Sequence, residues 1–496
     1  MRLKTTFYWA LFFVLCAVSC KKWDEHNQVT NQDVSKTLTD EISQHPNLSK
    51  FYEYLQKTGL DKELASSKAH TVWAPVNEAL KNLDAAIVND TAKLRRFMSN
   101  HIAYQSYFTK DAAASPRVAM LNGKWVSFTN TKFDDATITE ADKFVSNGVL
   151  QVIDKVAPVY ANAWELLDST KTTYQQSAFI LSLTRKVFDP TNAVVDSINS
   201  QTGLPVYKPG TDSVIKNSFN TDVYDLQRED KQYTYFIMSD TGLNSEVSKL
   251  NTYFKTSTAD STKNLASFAV VKDLIVEGVY AINQLPSVLV SKSGVKIPID
   301  VSKIVATRKM SNGIAYVIGR VAFNVKEKIP TVIVEGENYL RFFDANGLAV
   351  TPRQNNVSAV FIRTRLNPSN VQFVDMFTYN HGISALSAQY TARRLPSVNY
   401  KVYWVVPNDT LRLNGVVNPV VFNQRLAMGV RGANFLPTTP ATGMAMPINT
   451  YTEAYIGDYV QAMYGNLDMF LTANASTGAG TNTLNLDYIK LVPDIQ

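Results

Sequence analysis

Cysteine is nearly missing from this chain of 496 residues: there are two, Cys16 and Cys20, and none after them. Everything beyond Cys20 is therefore without disulfides, cysteine nucleophiles or Cys-ligated zinc. Histidine is scarce too. His26, His45, His70, His101 and His381 are scattered, and no His-Glu-x-x-His, Gly-x-Ser-x-Gly, phosphate-loop or dinucleotide pattern occurs. Charge is sparse and nearly balanced, 49 basic against 43 acidic residues without a Lys/Arg run, which gives no case for nucleic-acid binding. What the chain has is apolar material. At 45% hydrophobic residues it can bury several cores, so its stability has to come from burial alone.

The N-terminus carries an address. Arg2 and Lys4 precede an apolar run from Phe7 to Val18 that is too short to span a bilayer, and Ser19-Cys20 follows, so residues 1–19 read as a secretory signal peptide. Its removal takes the formal charge from +6 to +4. The stretch Leu15-Cys16-Ala17-Val18-Ser19-Cys20 resembles the lipobox of bacterial lipoproteins, which implies that Cys20 is acylated and anchors the protein to the outer membrane. An ordinary cleaved signal with an incidental cysteine is the plain alternative. Lys21-Lys22-Trp23-Asp24-Glu25 resembles the export signal of surface lipoproteins in gram-negative bacteria that use SusC/SusD-type uptake systems. That implies exposure at the cell surface, with a periplasm-facing location as the alternative. Residues 20–46 are polar and are expected to form the acylated N-terminus and a flexible tether.

Residues 47–159 carry the most specific pattern. Leu48, Phe51, Tyr52, Leu55 and Leu60 recur at helical spacing around Thr58-Gly59. A short strand from Thr71 stops at Pro75, and Asn77 is placed to cap the helix after it. Leu94, Phe97, Met98 and Ile102 form a further helical face, and Asn147-Gly148 turns into an alternating strand up to Val156. The boxes Thr71-Val72-Trp73-Ala74-Pro75-Val76-Asn77-Glu78-Ala79-Leu80 and Asn147-Gly148-Val149-Leu150-Gln151-Val152-Ile153-Asp154 resemble the two signatures of the fasciclin domain, an α+β extracellular module. His101 lies where that family has a Tyr-His pair linked to adhesion, but Asn100 replaces the tyrosine. A hydrogen-bonded core histidine is the expected role of His101.

Residues 160–330 repeat this programme in divergent form. Tyr233 to Leu243 resembles the first box without its proline, and Ser311 to Val321 resembles the second. The box spacing is nearly kept, from Thr71 to Asn147 and from Thr234 to Asn312. At the histidine's equivalent the second copy offers Asp273 or nothing. Asp189 to Asp230 is expected to be a long surface loop.

After Pro330 the texture turns to alternating strands with frequent turns, so residues 331–496 are expected to form an all-β jelly-roll sandwich. Its ends, Val334 to Tyr339 and Leu484 to Pro493, resemble carbohydrate-binding modules of the galactose-binding-like type, in which a structural calcium ion often ties the first strand to the last. Glu335 and Glu337, two apart on one strand face, and Asp487 are the candidate ligands, with a solvated or Lys-paired carboxylate rim as the plain alternative. For sugar stacking, Tyr451, Tyr455, Tyr459 and Tyr464 follow a Pro/Thr/Ala-rich loop, and half-buried packing is their plain alternative. Trp404 shares a face with Val402 and Val406 and is expected in the core.

These features describe a multidomain chain, two α+β fasciclin-like domains followed by the sandwich, with no cofactor beyond that calcium. The expected function is non-catalytic binding of extracellular glycan or surface protein, accessory to a SusC/SusD-type complex. Cell adhesion through the fasciclin-like pair is the alternative. Glycan hydrolysis is a third, because it needs only two suitably spaced carboxylates.

Overall fold

The computed structural model describes residues 32–33, 35–114, 116–354, 357–409, 420–474 and 481–495. The signal peptide, Cys20 and the Lys21 to Glu25 cluster lie outside them. No described helix is long and apolar enough to cross a membrane.

The first unit begins earlier than expected. Thr37 and Asp40 form a reciprocal cap, the Thr37 hydroxyl accepting from the Asp40 N–H at 3.2 Å and the Asp40 carboxylate accepting from the Thr37 N–H at 3.0 Å. That cap starts α1 (Leu38–Gln44), which buries Leu38 and Ile42 completely, so this part of the expected tether belongs to the fold. Next comes α2 (Ser49–Thr58), ended by Gly59 in the left-handed region at φ 70°. Asn77 does not cap its own short helix. Its Oδ1 accepts from the Lys50 N–H at 2.8 Å, so it caps the neighbouring helix α2. The strands are β1 (His70–Pro75), then, after α3 (Thr91–Ser99), β2 (Ile102–Tyr104), β3 (Ala136–Val145) and β4 (Gly148–Ile153). They lie in the order β3-β4-β1-β2, with β1 and β4 parallel and His70 opposite Gly148. Alternation along β1 sends Val72 and Ala74 to the helices and Trp73 to the other face, where its ring stacks on Phe133 at 4.4 Å. Burying such a side chain contributes about 2–3 kcal/mol.

The second unit opens with α4 (Ala163–Thr170) and contains β5 (Tyr233–Met238), α5 (Asp240–Leu250), α6 (Ala259–Val271), β6 (Ile275–Glu277), β7 (Ile304–Met310) and β8 (Gly313–Ile318). Its strand order is β7-β8-β5-β6, with β5 and β8 parallel and Tyr233 opposite Gly313, the arrangement of β3-β4-β1-β2 in the first unit, whose sheet also takes in Gln32–Asp33 and Lys132–Phe133. Polar anchors repeat as well. Asn147 accepts from the Leu38 N–H at 2.8 Å and donates to the Leu64 and Ser66 carbonyls; Asn312 accepts from the Ala163 N–H at 2.8 Å and donates to the Leu226 and Arg228 carbonyls. The following glycine is required in both. A Cβ on Gly148 would sit 2.0 Å from the His70 oxygen, and one on Gly313 1.9 Å from the Tyr233 oxygen.

Two expectations for this unit need correction. Ile102 pairs with Val72 and Ile275 with Tyr235, so the counterpart of His101 is Leu274, and Asp273 is the counterpart of Asn100. The segment between Asp189 and Asp230 is no plain loop. Thr184–Phe188 pairs with Ser213–Asn217, and Val195–Ile198 with Pro205–Tyr207, making an exposed arm turned by Asn199, whose Oδ1 accepts from the Gln201 and Thr202 N–H groups.

The two units are locked together. The buried Lys124 ammonium donates to Glu165 and to Glu229, each at 2.6 Å, while Arg96 joins Glu165 at 2.8 Å and Lys309 reaches Asp134 and Asp135.

The sandwich is made of antiparallel strands. One sheet contains β9 (Val332–Glu335), β14 (Asn399–Val405), β16 (Ala454–Val460) and β19 (Tyr488–Pro493), in the order β9-β19-β14-β16. Facing it are β10 (Arg341–Phe343), β13 (Ser387–Leu395), β15 (Phe422–Met428) and β17 (Gly465–Ala473), in the order β10-β13-β17-β15. A three-stranded sheet of β11 (Val360–Leu366), β12 (Gln372–Tyr379) and β18 (Thr483–Leu486) closes one end. Trp404 is fully buried between the layers, with Val402, Tyr390, Leu426 and Leu471.

Candidate functional site

At the closed end of the sandwich the first and last strands meet around a cavity of about 510 Å³. Glu335 ends β9 opposite Tyr488 of β19, and the chain then turns through Gly336–Asn338. Gly336 is there because of contact: a Cβ would lie 1.9 Å from the Leu486 oxygen, and its N–H donates to the Asp487 carbonyl at 2.5 Å. Glu335 and Glu337 thus do not share a strand face as expected, because the tight turn intervenes. Both still line the cavity, together with Asp487, Tyr451, Glu453 and Tyr488.

Electrostatics mark the floor. Burial, then the neighbouring charges of Glu335, Asp375 and Glu337, push the Asp487 carboxyl up to about 7. Burial and Glu337 raise Glu335 as well. Glu453 is instead neutralised: Lys490 meets it at 3.0 Å and the Tyr488 hydroxyl donates to it at 2.9 Å. The Lys-paired carboxylate of this cavity is thus Glu453 and not one of the three candidate ligands. Among the described residues no Lys, Arg or His nitrogen lies within 4.0 Å of Glu335, Glu337 or Asp487.

Aromatic rings form the wall. The Tyr451 hydroxyl donates to Asp409 at 2.7 Å, and its ring meets Phe373 edge-on at 6.0 Å. Behind them a salt-bridge network holds the wall rigid: Arg365 binds both Asp409 and the fully buried Asp375, which Arg363 grips with two nitrogens.

The structure disperses the four tyrosines. Tyr451 alone reaches the cavity. Tyr455 stands on the outer sheet face, 47% exposed and 5.4 Å from the Tyr403 ring. Tyr459 packs against the sandwich core, and Tyr464 against Phe254 of the second unit at 5.3 Å. A register shift between Val402 and Tyr403 breaks the alternation that would have aligned the tyrosines of β16. Among the described residues no group of three or more His, Cys, Asp or Glu side chains that could hold a metal ion is found. Phe373, Asp409, Glu453 and Tyr488 are additions from the structure; Tyr488 follows the candidate Asp487 directly, and Glu453 lies two positions from both Tyr451 and Tyr455.

His101 takes the core role. Its Nδ1–H donates to the Phe97 carbonyl at 3.1 Å, its Nε2 accepts from the Ala157 N–H at 3.0 Å, and burial holds its pKa down to about 4. With both nitrogens used inside, it offers nothing to a ligand.

Comparison with known proteins bears on the first unit most directly. Residues 46–158 match the Fasciclin domain family. This fasciclin domain holds both boxes, the α2 cap from Asn77 and the buried His101. Protein sll1483 of Synechocystis sp. is 28% identical over 134 residues, covering 25% of this chain and 74% of its own length. A solved FAS1 domain pair from the insect cell adhesion molecule fasciclin I is 19% identical, covering 57% of this chain and 99% of that one with a TM-score of 0.23. The CBM36-1 domain of a multidomain xylanase from the hindgut metagenome of Trinervitermes trinervoides is 15% identical, covering 33% and 96% with a TM-score of 0.17. Overlaps of that size carry no functional inference.

Proposed function

We propose that this chain is a non-catalytic cell-surface lipoprotein, anchored to the outer membrane through acylated Cys20, that captures extracellular glycan in the end cavity of its sandwich. It works beside a SusC/SusD-type uptake complex, and residues 160–330 form a second, divergent fasciclin domain. The observation that carries the reading is the pairing, in one cavity, of the Phe373, Tyr451 and Tyr488 rings with the carboxylates of Glu335, Glu337 and Asp487. A pyranose has an apolar C–H face, which stacks on flat rings, and a hydroxyl edge, which donates to carboxylate oxygens. The test is a glycan array probed with the purified chain, followed by titration of any hit. Tyr451→Ala should weaken binding several-fold, about 1 kcal/mol, and Tyr455→Ala on the outer face should leave it unchanged. Equal affinities for native and Tyr451→Ala would remove the cavity from the reading.

Cell adhesion is a second reading, supported by the fasciclin match over residues 46–158. A chain that retains whole cells but binds no glycan on the array would establish adhesion instead. Release of new reducing ends from a bound glycan would establish the hydrolase.

A further inference from the structure

A second cavity, of about 490 Å³, opens where the second unit meets the sandwich. Its wall is apolar: Phe254, Leu265 and Phe268 come from the second unit, and Val332, Pro396 and Tyr464 from the sandwich. The seam around it is held by backbone, with the Ser397 N–H donating to the Tyr253 carbonyl at 2.7 Å and the Tyr464 N–H to the Lys255 carbonyl at 2.7 Å. The cavity is therefore part of a fixed junction.

Its charge is one-sided. Four cations, Lys272, Lys292, Lys328 and Arg394, line it, against the carboxylate of Asp222 at its edge and that of Asp273 behind Lys328. Three of the cations have work to do within the fold. Lys328 pairs with Asp273 at 2.7 Å, Lys272 approaches the same carboxylate at 3.5 Å, and Lys292 donates to the Val223 carbonyl at 2.6 Å. Arg394 differs. Among the described residues no carboxylate lies within 4.0 Å of it.

The backbone explains how Arg394 is presented. The pairing of β13 with β17 shifts register between Ala392 and Leu395, and Arg394 occupies the left-handed region there at φ 54°. Its N–H donates to Asn466 Oδ1 at 3.1 Å, which fixes the bulge. A non-glycine residue held at positive φ is strained, and bulges re-aim side chains. Here the effect is to place an unpaired guanidinium on an apolar cavity.

We propose that this junction cavity binds a small amphipathic carboxylate, its aliphatic body against Leu265, Phe268 and Tyr464 and its carboxylate on Arg394. A guanidinium matches a carboxylate with paired N–H donors, and a cavity of this size accepts a ligand with an aliphatic chain. The site is separate from the glycan cavity and does not depend on that reading.

Calorimetric titration of the full chain tests it with three probes: decanoate, 1-decanol as the uncharged counterpart, and glucuronate as a carboxylate without an apolar body. Decanoate should bind at least about tenfold more tightly than decanol, and glucuronate should show no heat at millimolar concentration. Arg394→Gly relieves the positive φ while deleting the guanidinium, so it should melt no lower than the native chain yet lose about tenfold in decanoate affinity. Arg394→Gln, which keeps the side-chain stem, should show the same loss. The proposal is overturned if decanoate gives no heat at millimolar concentration, if glucuronate binds more tightly than decanoate, or if either folded variant binds decanoate like the native chain.

Discussion

His101 makes the fasciclin domain sensitive to acid in a calculable way. Its pKa falls from about 6.5 in the unfolded chain to about 4 in the folded one, because burial disfavours the imidazolium and the Ala157 N–H occupies the nitrogen that would take the proton. As pH falls below about 6.5 the unfolded state binds a proton that the folded state refuses, so stability is full above that value and declines until about pH 4. At 1.36 kcal/mol per pH unit the whole window is worth about 3 kcal/mol. The carboxylates of Asp40 and Asp90, held below their ordinary 3.8, lose their contribution only at lower pH, whereas His70 on β1, whose pKa burial also lowers, adds to the same decline. Hydrogen exchange of β1 and β2 amides reads the local stability, since the Trp73 N–H is bonded to the His101 carbonyl. His101→Gln should cost about 2 kcal/mol at pH 8 through lost burial and hydrogen bonding, and it should lose clearly less stability than the native chain between pH 7 and about 4.5, the remaining loss coming from His70. If native and His101→Gln chains lose the same stability across that range, the proton is not refused at His101 and the argument fails.

Lys124→Met strands Glu229 at the join between the first two units and should cost about 3 kcal/mol by urea unfolding, with Lys124→Met/Glu229→Gln recovering much of it. Gly148→Ala and Gly313→Ala should each abolish soluble folding on expression, because the added methyl meets a strand carbonyl, whereas Gly59→Ala, with open space around it, should cost only about 1 kcal/mol. Asp487→Asn removes a carboxyl that the fold prefers neutral. The neutral form contributes fully below pH 3.8 and that contribution is lost as pH rises through about 7, so the variant should melt above the native chain at pH 8 and together with it near pH 4.

The parts of the fold that were legible in the sequence are those where one residue has a local job. Asn147-Gly148 and Asn312-Gly313 announced themselves because an amide that ties down two segments, followed by a glycine against a carbonyl, has no substitute residue. Trp404 was legible from alternation alone. Asn77 was read as the cap of its own helix because a sequence shows neighbours in chain order, while its real partner, Lys50, is brought to it by the fold. The cavity was half legible for the same reason. Glu335, Glu337 and Asp487 sit at strand ends that must meet, but Phe373 and Asp409 arrive through β12 and the Arg365 network. The tyrosines of β16 failed because a single register shift reassigns faces, and nothing in Tyr455 or Tyr459 records it.

Ile495, nearly at the last position, packs into the core cluster of the second unit and not into the sandwich to which its strand belongs. The second unit's own sequence ends near Pro330, so its core is completed by a residue that leaves the ribosome after the whole sandwich. Such a contact spans a very long loop, and its closure comes late on entropic grounds. During synthesis the second unit must wait with that patch uncovered, and docking of the finished sandwich is the event that closes it. The order of assembly is thereby written into the chain: the second unit and the sandwich complete each other.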